Sequence, residues 1–226
     1  KRITKELQKQ AYAMYLNHAL DAKNKVGIRT RLHQVAGGFF PSKYELDERG
    51  FEVENANVKA VPIGKVEKLE RLASRLEDDG NFPVIVVTAF VAEAQYLYEQ
   101  LRKTYRCGLI IGAVNKQERQ RTEADFLAGN LDVLIATEQT IAKGYNFQVA
   151  HAMHFYSSTY SAEDRSQIED RIHRIGQKDT CVYVDYLTEG SVDFPILETA
   201  RGNLKYQDYM TSDNPEDFFK YIGRAE

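Results

Sequence analysis

The stretch of sequence that indicates the fold is Val84-Ile85-Val86-Val87, a short and continuous apolar run of β-branched residues. Such a run is typical of a strand that is buried on both faces. Comparable apolar runs follow at residues 109–111, 133–136, 153–155 and 181–187. Strands separated by single helices need crossover connections, so the sequence predicts an α/β fold with a mainly parallel sheet and helices on both faces.

Helical patterns flank these strands. The predicted helices cover residues 66–80, 91–105, 116–127, 162–174 and 192–201. Two more helices are expected in the first forty residues, and the second of them covers 21–35 and ends at Gly37 and Gly38. The polar segment 42–61 has no clear period, so we expect a loop or an irregular hairpin there, capable of motion.

The charge balance is mildly acidic, since 30 Lys and Arg against 33 Asp and Glu give a net charge of −3. This excludes a globally basic nucleic-acid coat but allows a local basic face. The two cysteines cannot form a disulfide framework, which favours a reducing compartment and a cytoplasmic location. The longest apolar stretch, 82–92, is far shorter than the ~20 residues of a membrane span, so no membrane partner is expected.

The most informative motif runs from residue 167 to residue 177. On a continuous helix, Gln167, Arg171 and Arg174 would fall within about 60° of one another. Guanidinium forks suit phosphate oxygens, and two of them on one rigid face suit a polyphosphate. The alternative, from spacing alone, is a solvated face whose arginines pair with the neighbouring acidic residues.

Local signals bound this helix. Ser161, with Asp164 three residues on, is typical of a capping box at the helix start. Gly176 supplies a stop at the other end. The helix is expected to be anchored to the sheet by an apolar stripe of Ile168, Ile172 and Ile175.

The pattern Gln-x-x-Asp-Arg-x-His-Arg-x-Gly-Gln resembles the sixth helicase motif of the Swi/Snf-type branch of superfamily two. Other segments resemble further parts of the same family, so the resemblance covers roughly residues 10–190. Residues 83–90 resemble the fourth motif and 137–147 the fifth. Gly112, Arg119 and Phe126 fit the Gly…Arg…Phe pattern of the family. Lys65 matches the lysine that usually begins this lobe, and residues 31–39 resemble the helical segment before it.

This resemblance implies the second RecA-like lobe of a DNA-dependent ATPase, which is a three-layer α/β sandwich with a mainly parallel sheet and a helical lead-in. In the family, ATP and Mg²⁺ bind between two lobes, and the first lobe carries the phosphate loop and most of the magnesium site. The resemblance assigns arginine fingers to Arg171 and Arg174. The residues expected near the nucleotide are Gly144, Asn146, Gln167, Arg171 and Arg174.

The expected partners are the N-terminal RecA-like lobe of the same protein and DNA, double-stranded and bound without sequence preference. By resemblance, the residues that contact the DNA phosphate backbone are Thr88, Thr137, Gln139 and Lys143. Hydroxyl, amide and ammonium donors at strand ends suit phosphates without reading bases. The alternative for this segment is an ordinary polar loop cap.

We divide the chain into a helical lead-in and loop (1–63), the RecA-like lobe (64–202) and an aromatic, acidic tail (203–226). No metal site is expected, because His151 and His154 on one strand would point to opposite faces. Ile141 and Ala142 stand where the family usually has glycines. This difference favours a bacterial or phage-like member of the family, and a nuclear location is not excluded.

Two alternatives remain to the motor-lobe interpretation. The first is a helicase-like lobe that binds DNA or a protein without turnover, and the second is an unrelated nucleotide-binding α/β protein. No Gly-x-x-x-x-Gly-Lys-Ser/Thr pattern occurs in the sequence, and Gly64-Lys65 continues with Val66. The first residue is Lys1 rather than Met, so the chain reads as a piece of a longer protein.

We predict that the 226-residue chain alone does not hydrolyse ATP, because its sequence has no phosphate loop and its Asp47-Glu48 pair follows no apolar strand, as a magnesium box would. Phosphate release by the purified chain, with and without DNA, measures this. Turnover that disappears in Arg171→Ala would contradict the prediction.

Overall fold

A computed structural model of the chain describes residues 25–46, 52–62, 67–142 and 144–203. The first of the two N-terminal helices expected, Lys143 and the tail beyond Asn203 lie outside the described residues. The elements in chain order are α1 (Lys25–Ala36), β1 (Phe39–Leu46), β2 (Glu52–Pro62), α2 (Glu67–Asp79), β3 (Val84–Thr88), α3 (Val91–Leu101), β4 (Cys107–Ile110), α4 (Lys116–Leu127), β5 (Val133–Thr137), α5 (Glu138–Ile141), β6 (Ala152–Phe155), α6 (Ala162–Glu169), β7 (Val182–Asp185) and α7 (Asp193–Ala200).

β3 is the centre of a five-stranded sheet with the strand order β4-β5-β3-β6-β7. All four pairings are parallel, and Val84 of β3 lies opposite Val133 of β5 and Ala152 of β6. Every residue of β3 and β5 is buried. The predicted parallel sheet, with strands buried on both faces, is thus confirmed.

Hydrophobic cores cover the two faces of this sheet. Val86 belongs to the core on one face, to which α2 and α3 contribute. Ile85, its neighbour in the strand, belongs to the core on the other face, to which α4, α5 and α6 contribute. Because alternate residues of a strand point to opposite faces, the sheet lies between two helical layers. This is the three-layer sandwich that the RecA-like resemblance implied.

The segment predicted as a loop or an irregular hairpin is a hairpin. β1 and β2 pair in antiparallel fashion, and the register shifts between Ser42 and Tyr44. The loop alternative is wrong for the paired residues. The irregular register agrees with the absence of a clear period in the sequence.

The helix predicted over residues 162–174 ends early. Its start is confirmed, because the Ser161 side chain accepts a hydrogen bond from the Asp164 amide at 3.1 Å. Its end is wrong, because α6 stops at Glu169 and the Arg171 carbonyl accepts instead from the Phe147 amide, at 2.9 Å. Gly176 lies in the following loop with φ +105 and does not end the helix.

The lead-in attaches to the lobe through hydrogen bonds at the end of α1. The Tyr156 hydroxyl donates to the Gly37 carbonyl at 2.9 Å, and the Thr188 hydroxyl donates to the Ala36 carbonyl at 2.7 Å. A Cβ atom at residue 37 would clash with Oε1 of Glu93, so a larger residue here would require the Glu93 side chain to move. The helix stop predicted at this position therefore also serves packing.

Ionisable side chains from four helices are buried at this junction, namely His33, Lys68, Glu93 and Asp193. Lys68 Nζ lies 2.8 Å from Asp193 Oδ2. Burial raises the pKa of Glu93 to about 7, although Ser157, which donates to its carboxyl group, and Lys68 both oppose the change. Burial also lowers the pKa of His33 to about 4. Glu93 therefore changes its charge near neutral pH inside the fold.

We expect Glu93→Gln to become more stable relative to the natural chain as the pH rises. Glu93 has a pKa of about 7 when folded, against an ordinary 4.5, so the native state binds more protons than the unfolded state between these values. The stability of the natural chain then falls as pH rises through this window, by about 2–3 kcal/mol between pH 5 and pH 8. Urea unfolding of both proteins at the two pH values measures the difference, and an unchanged difference would contradict it.

Candidate functional site

The arginine loop, which we define as residues 170–180, connects α6 to β7. Its first part lies along the connection between α5 and β6, through the hydrogen bond from the Phe147 amide to the Arg171 carbonyl. Just after its end, the Val182 amide donates to the His151 carbonyl at 2.8 Å. The loop thus runs along the segment that leads into β6 and reaches the amino ends of β6 and β7.

Arg171 is half-buried and ties the sixth motif to the fifth. Its Nη2 donates to the Ala142 carbonyl at 2.5 Å, and its Nη1 lies 3.4 Å from the Tyr145 carbonyl. Its buried Nε has no hydrogen-bond partner among the described residues. Burial lowers the pKa of the Arg171 guanidinium, and the charge of Arg174 lowers it further. The two guanidiniums are therefore close enough to repel each other.

Arg174, in contrast, is exposed. Within the described part of the chain, its side chain makes one hydrogen bond, from Nε to the Asp170 carbonyl at 3.1 Å. Its two terminal nitrogens are left to solvent. The charge predicted for this motif is present, but one arginine is anchored and the other is available.

The single helical face predicted for Gln167 and the two arginines is not formed, because α6 ends between them. Gln167 donates to Glu163 of its own helix at 3.2 Å. Gly144, with φ +87, and Asn146 are exposed in the connection to which Arg171 is bonded. The structure therefore brings Arg171 to the fifth-motif segment and leaves Gln167 apart from that hydrogen bonding.

The apolar stripe predicted beside these residues is partly wrong. Ile168 and Ile172 are fully buried, as expected. Ile175 is 101% exposed, because the chain has left the helix before this residue.

The candidate phosphate contacts lie at the carboxyl ends of β3 and β5. Thr88 and Thr137 are paired in register there, and both are buried. The Thr88 hydroxyl donates to the Phe90 carbonyl at 3.1 Å, and the Thr137 hydroxyl shares a hydrogen bond with Thr140 at 2.8 Å. Gln139 is exposed, and Lys143 lies outside the described residues. The exposed donor that the structure describes among these four residues is therefore Gln139.

Sequence reasoning missed a buried carboxyl group at the same end of the sheet. Glu138 is 2% exposed and accepts from the Thr159 amide at 2.7 Å. Burial raises its pKa to about 7. A charged residue directly after the buried strand at 133–137 is the signal that could have identified it.

Two glutamines that the sequence did not single out hold the arginine loop in place. Gln177 Nε2 lies 3.1 Å from the Gln148 carbonyl and 3.0 Å from the Ala150 carbonyl. Gln148 Nε2 in turn donates to the Ile175 carbonyl at 2.9 Å. Gln177 stands in the quoted motif, but its partners are carbonyl groups that no spacing rule locates.

His154 is buried and its Nδ1 lies 3.0 Å from the Tyr186 hydroxyl. No group of three or more potential metal-ligating side chains forms among residues 25–46, 52–62, 67–142 and 144–203. None of the helices in these ranges is long and apolar enough to span a bilayer.

Comparison with known sequences identifies the family. The sequence model of the helicase conserved C-terminal domain family matches residues 64–176, which is half of the 226-residue chain. The chain is 25% identical over 207 residues to the ISWI chromatin-remodeling complex ATPase CHR17 of Arabidopsis thaliana, covering 88% of this chain and 19% of that protein. It is 25% identical over 171 residues to the chromatin-remodeling ATPase INO80 of Mycosarcoma maydis, covering 74% and 9%. It is 30% identical over 138 residues to the ATP-dependent RNA helicase RhlB of Shewanella piezotolerans, covering 61% and 30%.

The chain thus spans less than a third of the length of each of these relatives. Its fold is similar to the crystal structure of the C-terminal part of the Fun30 ATPase domain, with a TM-score of 0.57 and 19% identity. The similarity covers 71% of this chain and 53% of that chain. The chain therefore belongs to the helicase conserved C-terminal domain family.

Proposed function

We propose that this chain is the C-terminal motor lobe of an ATP-dependent DNA helicase or translocase. ATP would bind between this lobe and an N-terminal RecA-like lobe that carries the phosphate loop, and Mg²⁺ would be held mainly by that N-terminal lobe. The family match supports the lobe itself. The names of the relatives, which include ATPases of chromatin remodeling and an RNA helicase, support ATP-dependent work on nucleic acid.

The observation that carries the proposal is the pair of guanidiniums in the arginine loop. Arg171 has a buried Nε without a partner among the described residues, and its pKa is lowered by burial and by Arg174. Two positive charges three residues apart in one loop are stabilised by an anion with several oxygens. A triphosphate fits this requirement, because guanidinium forks bind phosphate oxygens in pairs.

The two arginines have different tasks in this proposal. When bound, ATP supplies the terminal phosphoryl group that is transferred to water. Arg174 places its free terminal nitrogens on the charge that develops on this group, as an arginine finger does. Arg171 fixes the loop to the carbonyls of Ala142 and Tyr145 and adds a second positive charge.

The nucleic acid would lie at the carboxyl ends of β3 and β5. Gln139 is exposed there, and Lys143 follows it in sequence. Contacts from such donors to phosphate oxygens do not read bases, so the DNA would be bound without sequence preference. That the DNA would be double-stranded is what the family resemblance implies. Closure of the two lobes on ATP would move these contacts along one strand. A cytoplasmic location belongs to the same proposal.

We expect Arg174→Ala to abolish nucleic-acid-stimulated ATP turnover in the full-length protein without unfolding the lobe. An arginine finger contributes a factor of ~10³–10⁵ to turnover. Arg174 is exposed, so the unfolding midpoint of the chain should not change. Arg171→Ala should lower turnover and also destabilise the chain by about 1–3 kcal/mol, because it removes charged hydrogen bonds to two carbonyls. Phosphate release and urea unfolding measure the two effects.

Arg121→Ala is the matched control for these variants, since Arg121 is an exposed arginine of α4. It should leave both turnover and unfolding unchanged. Full turnover in Arg174→Ala would refute the motor-lobe proposal.

We expect Lys143→Ala to lower the salt dependence of DNA binding by the chain. Removal of one phosphate contact reduces the slope of log K against log salt by about 1. Gln139→Ala should weaken binding with the slope unchanged, because an amide releases no counterion. Fluorescence anisotropy with duplexes of several sequences, at several salt concentrations, measures both.

The control here is Lys116→Ala, which removes an exposed positive charge at the start of α4. If the slope of log K against log salt is unchanged in Lys143→Ala, Lys143 does not contact a DNA phosphate. Tighter binding to an RNA duplex of the same sequence would replace DNA by RNA in the proposal.

A further inference from the structure

We propose that Gln148 and Gln177 act as positioning residues that hold Arg174 in place for phosphoryl transfer. We call this pair the glutamine clamp. The inference rests on the proposed function, because Arg174 is assigned to the nucleotide there. It adds Gln148, which lies outside the quoted motif, and assigns a role to Gln177, the last residue of that motif.

Gln177 uses both ends of its side-chain amide. Its Oε1 accepts from the amides of Lys178 and Asp179, at 3.0 and 3.1 Å. Its Nε2 faces three carbonyls, those of Gln148 at 3.1 Å, Ala150 at 3.0 Å and Ile172 at 3.3 Å. One side chain therefore joins both ends of the arginine loop to the segment that enters β6.

Gln148 completes the clamp from the other side. Its Nε2 donates to the Ile175 carbonyl at 2.9 Å, one residue beyond Arg174. The side chain of Gln148 thus binds the backbone of the arginine loop, while the side chain of Gln177 binds the backbone of Gln148. Both links are side-chain-to-backbone hydrogen bonds, so they constrain the path of the main chain.

Apolar packing does not hold this part of the loop. Ile172 is fully buried, but His173, Arg174 and Gly176 are exposed and the Ile175 side chain is fully exposed. The helix has already ended at Glu169. Between Ile172 and β7, hydrogen bonding must therefore fix the backbone, and the glutamine clamp supplies most of the long-range bonds that the structure describes there.

A fixed backbone matters because a catalytic charge acts only from the correct position. A displacement of about 1 Å in a catalytic group can cost about 100-fold in rate. The terminal nitrogens of Arg174 are free, so their reach is limited by the backbone on either side and by the hydrogen bond from Nε to the Asp170 carbonyl. Loss of the clamp would spread the guanidinium over many positions and leave its charge unchanged.

The first experiment uses the 226-residue chain. In Gln177→Ala, hydrogen exchange at the amides of Lys178 and Asp179 should become about five- to tenfold faster, as expected for loss of an acceptor worth about 1–1.5 kcal/mol. Gln177→Glu should also lose protection, because a carboxylate oxygen in place of Nε2 would be repelled by the carbonyls that Nε2 now contacts. Gln95→Ala, which alters an exposed glutamine of α3, should change neither. Unchanged exchange in Gln177→Ala would overturn the clamp.

The second experiment tests the link to Arg174 in the full-length protein. Gln177→Ala and Gln148→Ala should each lower kcat by about 10- to 100-fold. In an Arg174→Ala background, Gln177→Ala should cost less than about twofold more, because neighbours that act as one unit are not additive. Single-turnover measurements resolve the slow variants.

The outcomes separate the inference from the proposed function. Full additivity of Gln177→Ala with Arg174→Ala would show that the glutamine acts elsewhere, and would overturn the inference alone. So would an unchanged kcat in Gln177→Ala when Arg174→Ala is inactive. An unchanged kcat in Arg174→Ala would overturn the proposed function, and the inference with it.

Discussion

Burial of the central sheet on both of its faces is the constraint on which the rest of this lobe depends. Because β3 and β5 are buried on both sides, the helical connections between strands cover the two faces of the sheet. The polar side chains of these two strands lie at their carboxyl ends. The candidate residues divide accordingly. Thr88 and Thr137 lie at the carboxyl ends of β3 and β5, whereas the arginine loop reaches the amino ends of β6 and β7.

The same constraint explains which parts of the fold could be predicted. A strand buried on both faces is expected to be apolar, so the run at 84–87 predicted a buried strand from local sequence alone. The end of α6 could not be located in this way. The helical spacing continues to Arg174, but the Arg171 carbonyl is bound by Phe147, a residue from a separate segment. A hydrogen bond between distant segments leaves no trace in a local period.

The candidate site shows a similar division. The two arginines of the sixth-motif segment predicted a positively charged site, and the structure places both of them in the arginine loop. Their difference in burial depends on the carbonyls of Ala142 and Tyr145, which sequence spacing does not locate. The glutamine clamp could not be predicted from the sequence for the same reason. The role proposed for these amide side chains depends on the backbone groups that they contact. The roles on nucleotide and DNA stay predictions.

The hydrogen bonds of Arg171 have a consequence for the function proposed above. They end on the carbonyls of Ala142 and Tyr145, and Lys143, a proposed phosphate contact, stands between these two residues in the sequence. One short connection would therefore serve both the nucleotide and the nucleic acid. A shift of Arg171 on ATP binding would act directly on the backbone next to the DNA contact, so coupling of the two sites would need no rearrangement of the sheet.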